Sequence, residues 1–147
     1  MNRLLYEQAI KIASEADVST AKNMVVLYSI SYLPTTENRD KAFAYLKQNP
    51  QAVTIEDTVC GRKLVELGVG YQEVGLSQEN IAQIWSIASR RFIKSVKGNI
   101  TAFVEGADKR SVFCSVELPL LLENPSVTKI NDIDKHEFAK KFMEKAI

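Results

Sequence analysis

"QENIAQIWSIASRRFIKSVKGNITAFVE", residues 78–105, joins a helical pattern directly to a strand pattern. Its first part carries an apolar stripe at helical spacing, formed by Ile81, Trp85, Ala88 and Phe92. Ser77 predicts the N-cap of this helix and Gly98 its stop, because glycine readily adopts the left-handed backbone that ends helices. The remainder, "NITAFVE", is rich in β-branched and aromatic residues and predicts a strand. A helix that leads straight into a strand favours a fold in which helices flank a sheet.

The residues before this stretch predict three further helices and an early strand. Apolar residues at helical intervals in "LLYEQAIKIASEAD" indicate an amphipathic helix, and "DKAFAYLKQNP" indicates a short helix that ends before Pro50. Thr54, with Asp57 three residues later, predicts the N-cap of a helix over "IEDTVCGRKLVEL". Glycines at 68, 70 and 75 are expected to end it. Between the first two helices, "NMVVLYS" predicts a buried strand over residues 24–30.

After the central stretch, "SVFCSVELP", residues 111–119, predicts another strand. With a period of two, one face would carry Ser111, Phe113, Ser115 and Glu117, and the opposite face would carry Val112, Cys114 and Val116. A last strand over "SVTKIND" leads to the helix "KHEFAKKFMEKA". Asp134 and Glu137 form the capping box expected at the start of that helix.

The order of these elements predicts an α/β fold with one domain over residues 1–147. An N-terminal helical part covers about residues 1–75, and a small, mainly parallel sheet flanked by helices covers about residues 76–147. The early strand over residues 24–30 is expected to join that sheet. The length agrees with the rough rule of about 150 residues per domain.

The composition argues against several classes of protein. Lys plus Arg number 19 and Asp plus Glu number 18, so the chain lacks the positive excess that a nucleic-acid backbone attracts. No apolar run approaches the roughly 18 to 20 residues that span a bilayer, and the first residues lack a signal-peptide pattern. We therefore expect a soluble protein that binds no nucleic acid and has no membrane span.

The cysteines and the single histidine do not form the pattern of a metal site or of a nucleophilic triad. Cys60 and Cys114 belong to no CxxC motif or Cys/His cluster, so no metal site is expected. Two buried free thiols suggest that the protein acts in a reducing compartment. His136 lies between charged residues of the last helix and is expected at the surface. Glycines form none of the common nucleotide-binding loops.

Carboxylates and aromatic rings remain as candidates for chemistry. Glu56 and Asp57 precede a helix, where acidic side chains also serve as ordinary caps. Trp85 lies on an apolar stripe, where a tryptophan is commonly part of the core. Glu117 is the strongest candidate, since it lies between apolar neighbours and a buried carboxylate needs a partner or a function.

Three stretches, "TIEDTVCG", "IWSIASRRF" and "SVFCSVELP", together resemble the ADP-ribosyl cyclase and NAD glycohydrolase family. The resemblance covers about residues 25–132. It implies that Glu117 is the catalytic acid and that Trp85 packs against the nicotinamide end of the substrate. It implies further substrate-binding positions, which are Glu56 and Asp57 as an acidic pair near the same ring, Ser89, Ser111 and Phe113 at the diphosphate and ribose, and Tyr28 in place of a second tryptophan.

The family resemblance implies an NAD(P)+ glycohydrolase that takes NAD or NADP as substrate, needs no cofactor, and releases ADP-ribose and nicotinamide. Two departures bear on this activity: Ile30 stands where an arginine is expected, and Val65 stands where a second acid is expected. The departures leave cyclisation as the less favoured outcome. They also keep open a non-catalytic nucleotide- or partner-binding module on the same fold.

With few cysteines and no signal-peptide pattern, the sequence resembles the bacterial toxin domains of contact-dependent inhibition systems. This resemblance implies a protein that is secreted or delivered by its producer and acts in the cytoplasm of a target cell. It also implies a cognate immunity protein as a partner. An RNA-cleaving toxin is a further alternative, although the near-neutral charge does not favour it.

Overall fold

A computed structural model describes residues 2–30, 32–69 and 75–145 of the chain. Within these ranges the chain forms six α-helices and four β-strands. The helices are α1 (Arg3–Glu15), α2 (Glu37–Gln48), α3 (Val59–Glu66), α4 (Gln78–Ser95), α5 (Leu118–Glu123) and α6 (Lys135–Lys145). The strands are β1 (Val26–Tyr28), β2 (Gly98–Phe103), β3 (Val127–Ile130) and β4 (Ile133–Asp134).

The chain folds into two compact units, each built from two separate segments. The helical unit contains Met1–Ser19 and Ile55–Ser95, and the sheet unit contains Thr20–Thr54 and Val96–Ile147. The boundary between units is therefore crossed three times along the chain. The expectation that residues 1–147 form one catalytic domain, with a helical part over about 1–75 and a strand-rich part over about 76–147, stays a prediction.

The helical unit consists of α1 packed against α3 and α4. Small residues of α1, Ala9 and Ala13, are completely buried and allow the helices to approach closely. The Arg91 guanidinium of α4 donates hydrogen bonds to the carbonyl oxygens of Ala13 (2.7 Å) and Ala16 (2.8 Å). Because the last carbonyls of a helix lack partners within it, this arginine stabilises the end of α1.

The sheet unit is built on a sheet with the strand order β1-β2-β3-β4. β2 pairs in parallel with β1 and with β3, and β4 returns antiparallel to β3. Asn131 and Asp132 form the tight turn between β3 and β4, with φ angles of 52° and 66° that suit a two-residue hairpin. α2 packs on β1 and β2, while α6 packs on β3 and β4.

Most of the long elements confirm the sequence-based prediction. The architecture is mixed α/β with a mainly parallel sheet, and the early strand is shorter than predicted but pairs with β2 as expected. Ser77 Oγ accepts from the Asn80 N–H (3.1 Å), and Asp134 Oδ2 accepts from the Glu137 N–H (3.2 Å). These bonds confirm the two predicted N-caps.

The prediction of a strand over residues 111–119 is wrong. Residues 112–123 follow one continuous helical path, whose first part, Phe113–Glu117, is a π-helical turn. Ser111 starts this path, because its Oγ accepts from the Cys114 N–H at 3.2 Å as an N-cap side chain does. The two predicted faces do not exist, because side chains along a helical path do not alternate between two faces as they do along a strand.

The predicted start of the helix after Thr54 is wrong by about one turn. Residues Ile55–Asp57 form a 3₁₀ turn, and α3 begins only at Val59. Thr58 is its N-cap, since Thr58 Oγ1 accepts from the Gly61 N–H at 3.0 Å. Of the three glycines expected to end this helix, Gly70 lies outside the described residues.

Candidate active site

Glu117 is the last residue of the π-helical turn that precedes α5. The Leu118 N–H donates to the Phe113 carbonyl, one residue further back than in an α-helix. Pro119 gives a physical reason for the wide turn. In a regular helix its ring would collide with the carbonyl four residues earlier, which belongs to Ser115 and lies within the turn. Single π-helical turns occur often at functional sites.

The π-helical turn is anchored in the core on both sides of Glu117. Phe113 is 1% exposed and packs edge to face against Phe142 of α6, with 5.5 Å between ring centroids. Leu118 on the other side is also buried. The Ser115 hydroxyl donates to the Ser111 carbonyl oxygen at 2.7 Å. These contacts fix the backbone that carries Glu117.

Burial determines the acidity of Glu117. Glu117 is half-buried as a residue, and the loss of water around its carboxyl raises the pKa of that group to about 7. Among residues 2–30, 32–69 and 75–145, no hydrogen bond or ion pair to this carboxyl offsets the loss of water. A carboxyl with such a shift is a candidate for a functional group.

Ser111 is placed where it supports the turn. Its side chain is fully buried, and its hydroxyl is engaged with the Cys114 N–H. Its predicted contact with the substrate diphosphate stays a prediction, as does the contact assigned to the buried Phe113. The sequence alone placed both residues on a strand, whereas they belong to the start of a helical path.

Tyr28 lies at the carboxyl end of β1 and packs edge to face against Phe43, with 5.8 Å between centroids. At the same end of the sheet, Asn38 Nδ2 donates to the carbonyl oxygens of Ser29 (2.8 Å) and Glu105 (3.0 Å). This buried amide ties the ends of β1 and β2 together. Sequence reasoning missed Asn38, because its helix gives no sign of which loops it reaches.

Four predicted site residues belong to the helical unit. Trp85 and Ser89 lie one turn apart on α4, and both keep part of their surface exposed. Glu56 and Asp57 lie in the 3₁₀ turn, where Glu56 is half-buried and Asp57 is exposed. Gly61 of α3 lies against this turn so closely that any side chain there would collide with the Ile55 carbonyl.

The structure thus groups the predicted residues by unit. Ser111, Phe113 and Glu117 share one short helical segment of the sheet unit, which also contains Tyr28. Trp85 and Ser89 share one side of α4 in the helical unit, which also contains the Glu56–Asp57 pair. That the two groups serve one substrate stays a prediction.

The structure also bears on metals, thiols and membranes. Among the described residues, no group of three or more His, Cys, Asp and Glu side chains could hold a metal ion. Both cysteines are free thiols, and burial raises the pKa of the Cys60 thiol. No helix in the described part of the chain has the length and apolar character needed to cross a bilayer.

Solved structures share this architecture at low sequence identity. An ADP ribosyl cyclase complexed with N1-cIDPR aligns with a TM-score of 0.55 and 21% identity over 86% of this chain and 62% of the other. Aplysia cyclase, complexed with the substrate NGD and product cGDPR, aligns with a TM-score of 0.51 and 23% identity over 75% and 48%. The chain has the ADP-ribosyl cyclase fold.

Porcine CD38 has the same ADP-ribosyl cyclase fold and aligns over 99% of this chain and 82% of its own, with a TM-score of 0.56 and 16% identity. No protein-family model and no curated protein matches the chain. The chain spans about three fifths and one half of the two cyclase structures. The fold expected from the three sequence motifs is therefore confirmed, while the activity and the toxin context stay proposals.

Proposed function

We propose that this protein is an NAD(P)+ glycohydrolase in which Glu117 supplies the catalytic carboxylate. The observation that carries the proposal is the state of this side chain. It ends a π-helical turn, belongs to a half-buried residue, and has a carboxyl pKa of about 7 because of burial. The ADP-ribosyl cyclase fold supports the choice of substrate, since a solved cyclase of this fold is complexed with the substrate NGD.

The reaction breaks the bond between C1′ of the ribose and the nicotinamide nitrogen. The electron pair of that bond leaves with nicotinamide, and positive charge develops on the sugar. An ionised Glu117 would stabilise this charge most strongly at the transition state, which lowers the barrier rather than merely tightening substrate binding. Water then adds to C1′ and loses a proton, which gives ADP-ribose. The porcine CD38 structure contains a covalent intermediate, ribo-F-ribose-5′-phosphate, so a transient bond from Glu117 to C1′ is an allowed variant of this route.

The burial of Glu117 strengthens its interaction with the positive charge that develops on the sugar. A carboxylate in a poorly solvated place interacts with a developing cation more strongly than one in water. Because the carboxyl pKa is near 7, a large fraction of Glu117 is ionised at neutral pH, although burial disfavours the ionised form. The carboxylate is therefore available and is stabilised further when the sugar becomes positive.

The remaining substrate contacts follow from the family resemblance. Trp85 would stack on the nicotinamide cation, an interaction of about 0.5 to 2 kcal/mol for a cation over an aromatic ring. Its partial exposure supports this role, because a fully buried ring would be unavailable. Glu56, Asp57 and Ser89 would complete the binding surface of the helical unit. Ser111 and Phe113 would contact the diphosphate and ribose, and Tyr28 would take the place of a second tryptophan.

Product analysis by chromatography tests the proposal. The purified chain is incubated with NAD, and nicotinamide, ADP-ribose and cyclic ADP-ribose are separated. We expect nicotinamide and ADP-ribose, with a loss on the order of 10²-fold or more in Glu117→Gln. Glu123→Gln, an exposed acid at the end of α5, is the matched control and should cleave at the wild-type rate. A wild-type chain as slow as the Glu117 variant would overturn the assignment.

We further propose that the enzyme acts as an antibacterial toxin or effector in the cytoplasm of a target cell. The support is the pair of free thiols, which suits a reducing compartment. Expression inside bacteria should deplete NAD and arrest growth, and the product of a neighbouring gene should restore growth as a cognate immunity protein. Normal growth with a stable NAD pool would contradict the toxin role.

A non-catalytic nucleotide-binding module on the same fold is the second candidate. It is favoured by Ile30, which stands where the family resemblance calls for an arginine. Calorimetric titration with NAD separates the two. Tight binding with no nicotinamide release would support the module, and turnover would exclude it.

A further inference from the structure

A groove of about 950 Å³ lies within the sheet unit. Its lining includes the end of β2 from Ala102, the loop that follows up to Arg110, and residues of α2 and α6. The volume falls within the roughly 300 to 1,000 Å³ range of small-molecule sites. Among the described residues, those that line the groove do not include Glu117.

Positive charge is concentrated around this groove. Five cationic side chains line it, and only two acidic ones do, although the whole chain carries a net charge of +1. The cations are Lys41 of α2, Lys109 and Arg110 of the loop, and Lys141 and Lys145 of α6. Because they come from three separate elements, they surround the groove rather than follow one helix face.

Two of the three helical lysines are held only by weak, exposed ion pairs. Lys41 Nζ lies 3.2 Å from Glu37 Oε1, and Lys141 Nζ lies 3.2 Å from Glu137 Oε1, each one helical turn away. Such pairs contribute little, since water screens them. Neither glutamate lines the groove, so both lysines can turn toward an anion inside it.

Arg110, by contrast, is oriented by two neighbours, although its side chain is 67% exposed. Its guanidinium donates from Nε and Nη2 to the two oxygens of Asp108 at 2.9 and 3.1 Å, and it stacks 4.1 Å from the Tyr32 ring centroid. A planar, pre-positioned guanidinium presents its remaining N–H groups to an anion at little entropic cost. The groove therefore combines one oriented cation with several adjustable ones.

Aromatic rings form the apolar part of the groove. Phe138 and Phe142 stack on α6 with 5.6 Å between centroids and a 12° angle between planes, and Phe103 lies at the end of β2. Flat apolar surface beside cations suits a ligand that has a flat ring system at one end and negative charge at the other. Nucleotides have this composition.

We propose that this groove is a nucleotide site that takes a nucleoside diphosphate or triphosphate, with the phosphates toward the lysines and the base against the phenylalanines. An acidic peptide would satisfy the cations, but it would leave the paired aromatic rings without a matching flat partner. The site is a second ligand site beyond the residues assigned to NAD cleavage.

Isothermal titration with ADP tests the proposal on the intact chain. ADP carries a base and a diphosphate but no nicotinamide bond, so no turnover disturbs the measurement. We expect ADP binding that weakens by about tenfold or more when Lys141→Glu and Lys145→Glu are combined, because charge reversal repels the phosphates. Lys47→Glu, an exposed lysine of α2 outside the groove lining, is the matched control and should bind ADP as the wild type does.

Adenosine and added salt test whether the phosphates carry the binding of ADP. Adenosine should bind much more weakly than ADP, and raising the salt concentration should weaken ADP binding. Equal ADP affinity in the double variant would overturn the proposal, as would the absence of ADP binding. An oligo-glutamate peptide that binds while ADP does not would assign the groove to an acidic protein segment instead. None of these results depends on nicotinamide release, so failure here and failure of the glycohydrolase proposal are distinguishable.

Discussion

Asp108 and Glu117 are two acidic side chains of the sheet unit, and their surroundings shift their carboxyl pKa values in opposite directions. Asp108 accepts hydrogen bonds from the Arg110 side chain and backbone N–H, and these bonds lower the pKa of its carboxyl to about 2. Glu117 has no comparable partner among the described residues, and burial raises its pKa to about 7. A partnered carboxylate is already stabilised, whereas Glu117 keeps its charge available for a cation that forms during a reaction.

The first and largest change is expected in the free energy of unfolding when Glu117 is replaced. Because its pKa is raised on folding, the stability associated with the neutral carboxyl is fully present below pH 4.5 and is lost as pH rises through 7. Glu117→Gln avoids this loss and should be more stable than the wild type by about 2 to 3 kcal/mol at pH 8, with almost no difference at pH 4.5. Urea unfolding at both pH values measures the difference. A variant less stable at pH 8 would mean that Glu117 has a stabilising partner.

The next effect is the pH dependence of NAD cleavage. If the ionised form of Glu117 is the catalyst, the rate should rise through pH 7 and be about tenfold lower at pH 6 than at pH 8. Nicotinamide release measured between pH 5.5 and 8.5 checks this. A rate that stays flat across this range, with the fold intact by circular dichroism, would separate catalysis from the titration of Glu117.

The smallest effect is expected at Asp108. Since its pKa is lowered on folding, its contribution to stability is present above pH 4 and is lost as pH falls through 2. Asp108→Asn should therefore lower the unfolding midpoint slightly at pH 7 and not at pH 2, because exposed ion pairs contribute little. Thermal unfolding at both pH values measures this change. A pH-independent loss would point to a steric role for Asp108.

The sequence predicted the long elements well because their signals are local. The stripe on α4, the Ser77 cap and the β-branched run of β2 need no knowledge of distant residues. Residues 111–119 were misread because alternating residues in a short stretch resemble a strand. The π-helical turn depends on the Ser111 cap and on Pro119.

Glu117 was singled out by its apolar neighbours and by the family resemblance, although on the wrong secondary structure, and its catalytic role stays a prediction. The groove could not be predicted, because Lys41, Arg110 and Lys141 lie far apart in the sequence and meet only in the folded sheet unit. The role of Asn38 was hidden for the same reason. Its amide joins two loops that the sequence does not connect.

We infer that burial raises the pKa of the Glu117 carboxyl well above the ordinary value for glutamate. NMR titration of the side-chain carboxyl carbon measures this pKa directly. Subtracting the spectrum of Glu117→Gln from that of the wild type identifies the signal. We expect a titration midpoint near pH 7. A midpoint near 4.5, the ordinary value for glutamate, would contradict it.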